Sequence, residues 1–152
     1  MFSMRTQAEP ARRPRLSREV PLRVLVVEDF VPYRRFISST LASVRGLQVI
    51  DEASDGLEAV QKAVEMQPDL ILLDIGLPGL NGIEAAREIR DLVPKSKIIF
   101  LTQESSADVV KEALYVGARG YVVKTEAGTE LLNAVNAVLS GKNYVSCSTG
   151  KR

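Results

Sequence analysis

Five short apolar runs recur along the chain, at 22–27, 47–53, 70–74, 97–102 and 121–123, and amphipathic stretches separate them. Near-continuous aliphatic content, as in Leu70-Ile71-Leu72-Leu73, reads as a strand buried on both faces. After the first run, Pro32 suits the opening turn of a helix with Phe36, Ile37, Leu41 and Val44 on its inner stripe, closed by Gly46. Asp55 and Glu58 resemble a capping box for a second helix, with Leu57, Val60 and Val64 on one face and Pro68 as its stop. A third helix spans about 81–92, with Ile83, Ala86, Ile89 and Val93 inward. Ser105 or Ser106 starts a fourth, which carries Val109, Val110, Ala113 and Leu114 and closes at Gly117. The fifth, about 128–140, buries Leu131, Leu132, Val135, Val138 and Leu139 and stops at Gly141. A strand-helix repeat of about 23 to 28 residues is the size of one βα unit. Right-handed crossovers then imply an α/β fold with a doubly wound, five-stranded parallel sheet and five helices. The flavodoxin-like strand order 2-1-3-4-5 is the expectation adopted, although periodicity alone does not determine order.

Polar residues at the ends of these strands change the picture. Asp74 ends the third strand, and Gly76, Pro78 and Gly79 delay the next helix to about Asn81, too far on for Asp74 to cap it. Asp29 likewise lies too early to cap the Pro32 helix. In the expected order strands 1 and 3 are neighbours, so Glu28, Asp29 and Asp74 share one rim, joined by Thr102 and Lys124 from strands 4 and 5. Two carboxylates 4 Å apart repel by about 4 kcal/mol at an effective dielectric of 20, so such a cluster takes up a proton or a cation. Oxygen ligands alone favour a hard ion, and Mg2+ fits best. A phosphoryl group arriving at Asp74 finds a metal, the Lys124 ammonium and the Thr102 hydroxyl, the positioning and positive charge that phosphoryl transfer needs. Asp74 is then the nucleophile that forms an acyl phosphate.

Composition narrows the alternatives. With 152 residues, 45% hydrophobic and 26% charged, the chain fits one soluble globular domain. No apolar run approaches the roughly 20 residues of a membrane span, so no membrane partner is expected. The absence of histidine removes Ser-His-Asp chemistry, His-ligated metals and a phosphohistidine-donor role. A single cysteine, Cys147, fits a reducing cytoplasm. Residues 1–20 form a basic arm, expected to be disordered, with Arg5, Arg12, Arg13, Arg15 and Arg18 against Glu9 and Glu19. The remainder, 15 basic and 17 acidic residues, is slightly acidic.

The ordered set Glu28-Asp29, Asp74, Thr102, Tyr121 and Lys124 resembles the receiver domain of two-component response regulators. The segments 74–87 and 112–124 look particularly similar to the NarL/FixJ subgroup. The resemblance implies a receiver domain over 21–145 and a flexible tail over 146–152. It implies that Asp74 accepts phosphate from the phosphohistidine of a kinase or phosphotransfer protein, with Glu28, Asp29, Asp74 and the Gly76 carbonyl around Mg2+. Lys124 and Thr102 would contact the phosphoryl oxygens. Tyr121 would be the switch aromatic, turning inward as Thr102 moves toward the phosphate. The readout would be the face of helix 4, strand 5 and helix 5, offered to a downstream protein or to a second copy of the chain. Apart from self-phosphorylation and autodephosphorylation at Asp74, no enzymatic activity is implied.

Two departures from the family pattern stand out. Thr125 follows Lys124 where many receivers have proline, and Gln103 follows Thr102 where a small residue is usual. Gln103 is expected to restrict access to the phosphoryl site, and Gly76 and Glu104 occupy other positions that tune phosphate lifetime in the family. A stand-alone receiver is the favoured expectation, without specific nucleic-acid binding. A receiver fragment of a DNA-binding transcriptional regulator is the alternative. A flavodoxin-like FMN protein would not need the acidic pair or Lys124. A haloacid dehalogenase-type phosphatase generally wants a second Asp two residues after the first, where this chain has Gly76.

Overall fold

The computed structural model describes residues 20–103 and 106–146. The expectations for residues 1–19, Glu104, Ser105, Cys147 and the rest of the tail lie outside these. Strands β1 (Leu22–Val27), β2 (Leu47–Ala53), β3 (Leu70–Asp74), β4 (Lys97–Thr102) and β5 (Gly120–Val123) alternate with helices α1 (Val31–Ala42), α2 (Gly56–Met66), α3 (Gly82–Leu92), α4 (Ala107–Tyr115) and α5 (Ala127–Leu139). All pairings are parallel, in the order β2-β1-β3-β4-β5, and a two-residue strand β6 (Tyr144–Val145) joins the β5 edge. The expected architecture and strand order are therefore observed, with one strand more.

Period-two alternation divides the core. Val24, Val26, Leu70, Leu72, Ile99, Leu101 and Val122 pack with Ile37 and Leu41 of α1 and Leu131, Val135 and Val138 of α5. Leu25, Val27, Ile71, Leu73, Phe100, Tyr121 and Val123 point to the other face, against α2, α3 and α4. Every residue of β3 is buried, as its aliphatic run requires.

Four expected inner-face residues are instead exposed: Phe36, Leu57, Val64 and Leu132. On α2 the buried residues are Gly56, Ala59, Val60 and Ala63. At the start of this face the neighbouring loop comes very close: a Cβ at Gly56 would lie 1.9 Å from the Leu80 carbonyl oxygen. Capping follows the sequence signals more closely. Asp55 caps α2 by accepting from the Glu58 amide, although the Glu58 carboxylate reaches the Ser54 amide rather than closing the box on Asp55. Asn81 and Glu84 form a complete capping box on α3, and Ser106 caps α4. Gly117, at φ +100°, follows α4 in the left-handed conformation expected of a closing glycine.

The strand register places the rim. Val27 of β1 pairs with Leu73, Asp74 with Leu101, and Thr102 with Val123. Glu28, Asp74, Thr102 and Lys124 thus fall at or just beyond the carboxyl ends of four adjacent strands.

Candidate functional site

Glu28 is completely buried and Asp74 is 4% exposed, while Asp29 beside them is exposed. One carboxylate oxygen from each lies within 4.8 Å of the other two. Lys124 reaches into this group. Its ammonium hydrogen-bonds Asp74 Oδ2 at 3.1 Å and lies 2.7 Å from Glu28 Oε1. The second contact is an ion pair with poor hydrogen-bond angles, so the buried Oε1 has no aligned donor. The other oxygens are engaged by backbone: the Phe30 amide donates to Glu28 Oε2 and the Gly76 amide to Asp74 Oδ1, each at 3.0 Å.

Burial and neighbouring charge shift Glu28 and Lys124 in this enclosed rim. Burial raises the Glu28 pKa, and the Asp74 charge adds to it, against the lowering effects of Lys124 and the Phe30 amide. Burial works against the charged form of Lys124, but the adjacent Glu28 and Asp74 carboxylates outweigh it and raise its pKa. Three carboxylates against one ammonium leave a formal charge of −2 when all are ionised. The residues present fit a divalent ion: the donors are all hard oxygens, and a buried carboxylate oxygen lacks an aligned hydrogen-bond donor.

Thr102 ends β4, is 2% exposed, and follows the residue paired with Asp74. Gln103 and Gly76 are exposed. A Cβ at Gly76 would meet only Asp74 Oδ1, at 3.9 Å, so that position faces the carboxylate with room to spare. Tyr121 is fully buried within the core on the α2–α4 side and pairs with Phe100 in the sheet.

The sequence reading missed two residues in the first turns of α1. The Tyr33 hydroxyl donates to the Lys124 carbonyl at 3.0 Å, and its ring lies 5.0 Å from the Lys124 ammonium. Burial, with the charges of Glu28 and Asp74, pushes the Tyr33 pKa up to about 12, so its hydroxyl stays a donor at neutral pH. Arg34 donates to the Glu28 carbonyl at 2.9 Å and to Glu52 Oε1 at 3.0 Å, tying β1 to β2 beneath the rim. The available signal was position: both follow the acidic pair by only a few residues, on a helix whose start Pro32 fixes.

An acidic cluster with a strand-end lysine, at the carboxyl rim of a 2-1-3-4-5 parallel sheet, is the arrangement of a receiver-type α/β domain. Comparison makes the class specific. Residues 24–136 match the response regulator receiver domain family, and the chain belongs to it. It is 36% identical over 125 residues to the response regulator GacA of Pseudomonas viridiflava, across 82% of this chain and 58% of that protein. The crystal structure of a two-component response regulator of the LuxR family from Aurantimonas sp. SI85-9A1 superposes with a TM-score of 0.83 at 31% identity, covering 86% of this chain and 94% of that one. The signal receiver domain of NarL from Mycobacterium tuberculosis gives 0.76 at 28% identity, over 81% and 99% respectively. The chain thus spans a little over half the length of the curated relatives it matches.

Proposed function

We propose that the chain receives a phosphoryl group on Asp74 from a histidine kinase or phosphotransfer protein, in a Mg2+-dependent reaction. One observation carries this reading: Glu28, Asp29 and Asp74, from two strand ends, bring oxygens within 4.8 Å of one another while Lys124 bonds the Asp74 carboxylate. A carboxylate oxygen of Asp74 attacks the phosphorus, the P–N bond of the donor phosphoimidazole breaks, and its electron pair stays on the departing imidazole nitrogen, which takes a proton from water. Glu28, Asp29, Asp74 and the Gly76 carbonyl hold Mg2+, which when bound supplies positive charge to the phosphoryl oxygens. Lys124 supplies the second positive charge and Thr102 a hydroxyl donor. Tyr121 and Thr102 form the switch that alters the face of α4, β5 and α5 presented to a downstream protein or a second copy of the chain. In this reading the protein is cytoplasmic and its only catalysis is self-phosphorylation and autodephosphorylation. Among the described residues no helix is long and apolar enough to cross a membrane.

Incubation with Mg2+ and acetyl phosphate, followed by intact mass, tests the reading. A single phosphate adduct is expected in the wild type and none in Asp74→Asn. An adduct that survives in Asp74→Asn, or a wild type that takes none, discards it. Gln103, Glu104 and Gly76 set the phosphate lifetime, and equal lifetimes for wild type and Gln103→Ala would remove Gln103 from that role.

A second reading rests on length. Because the chain spans 58% of the GacA relative, it is also read as the receiver portion of a DNA-binding transcriptional regulator. Specific DNA binding by this chain alone is not part of either reading.

A further inference from the structure

Lys124 has to hold its ammonium between two buried carboxylates from the end of a four-carbon stem, just where β5 gives way to a 3-10 turn at Lys124–Glu126. One side chain touches both ends of this residue. The Tyr33 hydroxyl donates to the Lys124 carbonyl at 3.0 Å, and the Tyr33 ring lies 5.0 Å from the Lys124 ammonium. Tyr33 is itself braced, with its ring 5.6 Å from that of Phe36 on the next turn of α1 and with Pro32 fixing the helix start. A tyrosine at this point of a helix could simply turn its hydroxyl to water. Here the hydroxyl is directed at a backbone carbonyl 91 residues away in sequence.

We infer that Tyr33 is a positioning residue for the Asp74 reaction: it anchors the backbone of Lys124 and walls its ammonium into line with Asp74. The hydroxyl fixes where the lysine stem begins, and the ring face attracts the ammonium while excluding water from one side. A flexible lysine held at both ends loses its freedom before the phosphoryl group arrives, and pre-alignment is what raises the rate of such a step. The role rests on the proposed phosphoryl transfer to Asp74, and it extends that site to α1.

The test uses the full chain as wild type, Tyr33→Phe and Tyr33→Leu, each with folding verified by thermal melt. NMR of the Lys124 side chain reads placement directly. The wild-type Hε protons should be shifted upfield by the ring, Tyr33→Phe should keep the shift, and Tyr33→Leu should lose it. Phosphorylation by acetyl phosphate at saturating Mg2+ reads the consequence. Tyr33→Leu should lower the maximal rate by about tenfold or more, toward the ~100-fold that a 1 Å misplacement can cost, with the half-saturating donor concentration unchanged. Tyr33→Phe, which loses one hydrogen bond, should fall by only about threefold. In a Lys124→Met background Tyr33→Leu should cost nothing further. A Lys124 signal without the ring shift in the wild type overturns the inference, and so does an undiminished Tyr33→Leu loss in the Lys124→Met background. A wild type that takes no phosphate on Asp74 defeats the functional reading instead, and the ring shift then decides placement by itself. Should Tyr33→Leu fail to fold, the wild-type shift and the Tyr33→Phe rate still decide.

Discussion

Lys62 and Lys124 each lie among acidic side chains. Lys62, on α2, lies 3.2 Å from Asp51, 3.1 Å from Glu58 and 2.6 Å from the Glu52 carbonyl, while Lys124 lies 3.1 Å from Asp74 and 2.7 Å from Glu28. The distances are alike but the surroundings are not. The Asp51 and Glu58 side chains remain 33% and 35% exposed, and each also accepts from a nearby backbone amide. At the rim, Glu28 is wholly buried and the Asp74 side chain is 6% exposed. Water screens the charges around Lys62, so that cluster is a surface brace between β2 and α2. The Glu28 and Asp74 charges are shielded from water, come from separate strands, and include an oxygen without an aligned donor. Among the described residues the rim acids are the one group of three whose oxygens gather closely enough to hold an ion. Burial, more than the count of charges, separates a surface brace from a cluster that fits an ion.

The difference should be largest when each lysine is removed. Lys124→Met leaves two buried carboxylates uncompensated and should cost about 3–5 kcal/mol in urea unfolding with chelator present. Millimolar Mg2+ should recover part of that loss; full stability in chelator would place the rim among surface clusters. Next in size is the ion itself. At about 100 times its dissociation constant, Mg2+ should stabilise the wild type by about 2.7 kcal/mol. Glu28→Gln should lose most of this increment and Glu58→Gln should keep it. Equal increments in the two variants would contradict the rim as the metal site. Lys62→Met should cost about 1 kcal/mol or less and leave the response to Mg2+ intact.

The smallest effect concerns pH. The amide of Ser54, first, and then Lys62 hold Glu58 below its usual value of 4.5 against the opposing effect of burial. A carboxylate lowered on folding contributes stability above its unfolded pKa and loses it as pH falls through the folded one. Wild type should therefore lose more stability than Glu58→Gln on acidification from pH 7 through and below 4.5, as read by melting temperature. Parallel profiles would remove Glu58 from the brace.

The strands and rim acids were legible in the sequence because buried parallel strands leave uninterrupted aliphatic runs, and a carboxylate ending such a run stands out. Helix faces were less legible where packing is tight. Leu57 and Val64 outrank Ala59 and Ala63 in hydropathy, yet α2 turns Gly56, Ala59, Val60 and Ala63 inward, with Gly56 pressed against the Leu80 backbone. The two-residue β6 is too short to show periodicity, though its backbone bonds carry Ser146, with its amide on the Tyr121 carbonyl, into the fold. Tyr33 escaped because its partner is a backbone carbonyl, which no side-chain pattern announces.

The loop that leaves Asp74 turns back so tightly that the Gly82 amide donates to the Ile75 carbonyl, and a Cβ at Gly82 would lie 2.2 Å from the Asp74 carbonyl oxygen. Anyone randomising this loop together with the helix-start glycines packed against it therefore has an unequal canvas. Positions 56 and 82 should return only glycine from a selected library, since each abuts backbone that cannot yield. Codon 76, open beside the carboxylate, is where diversity can be spent.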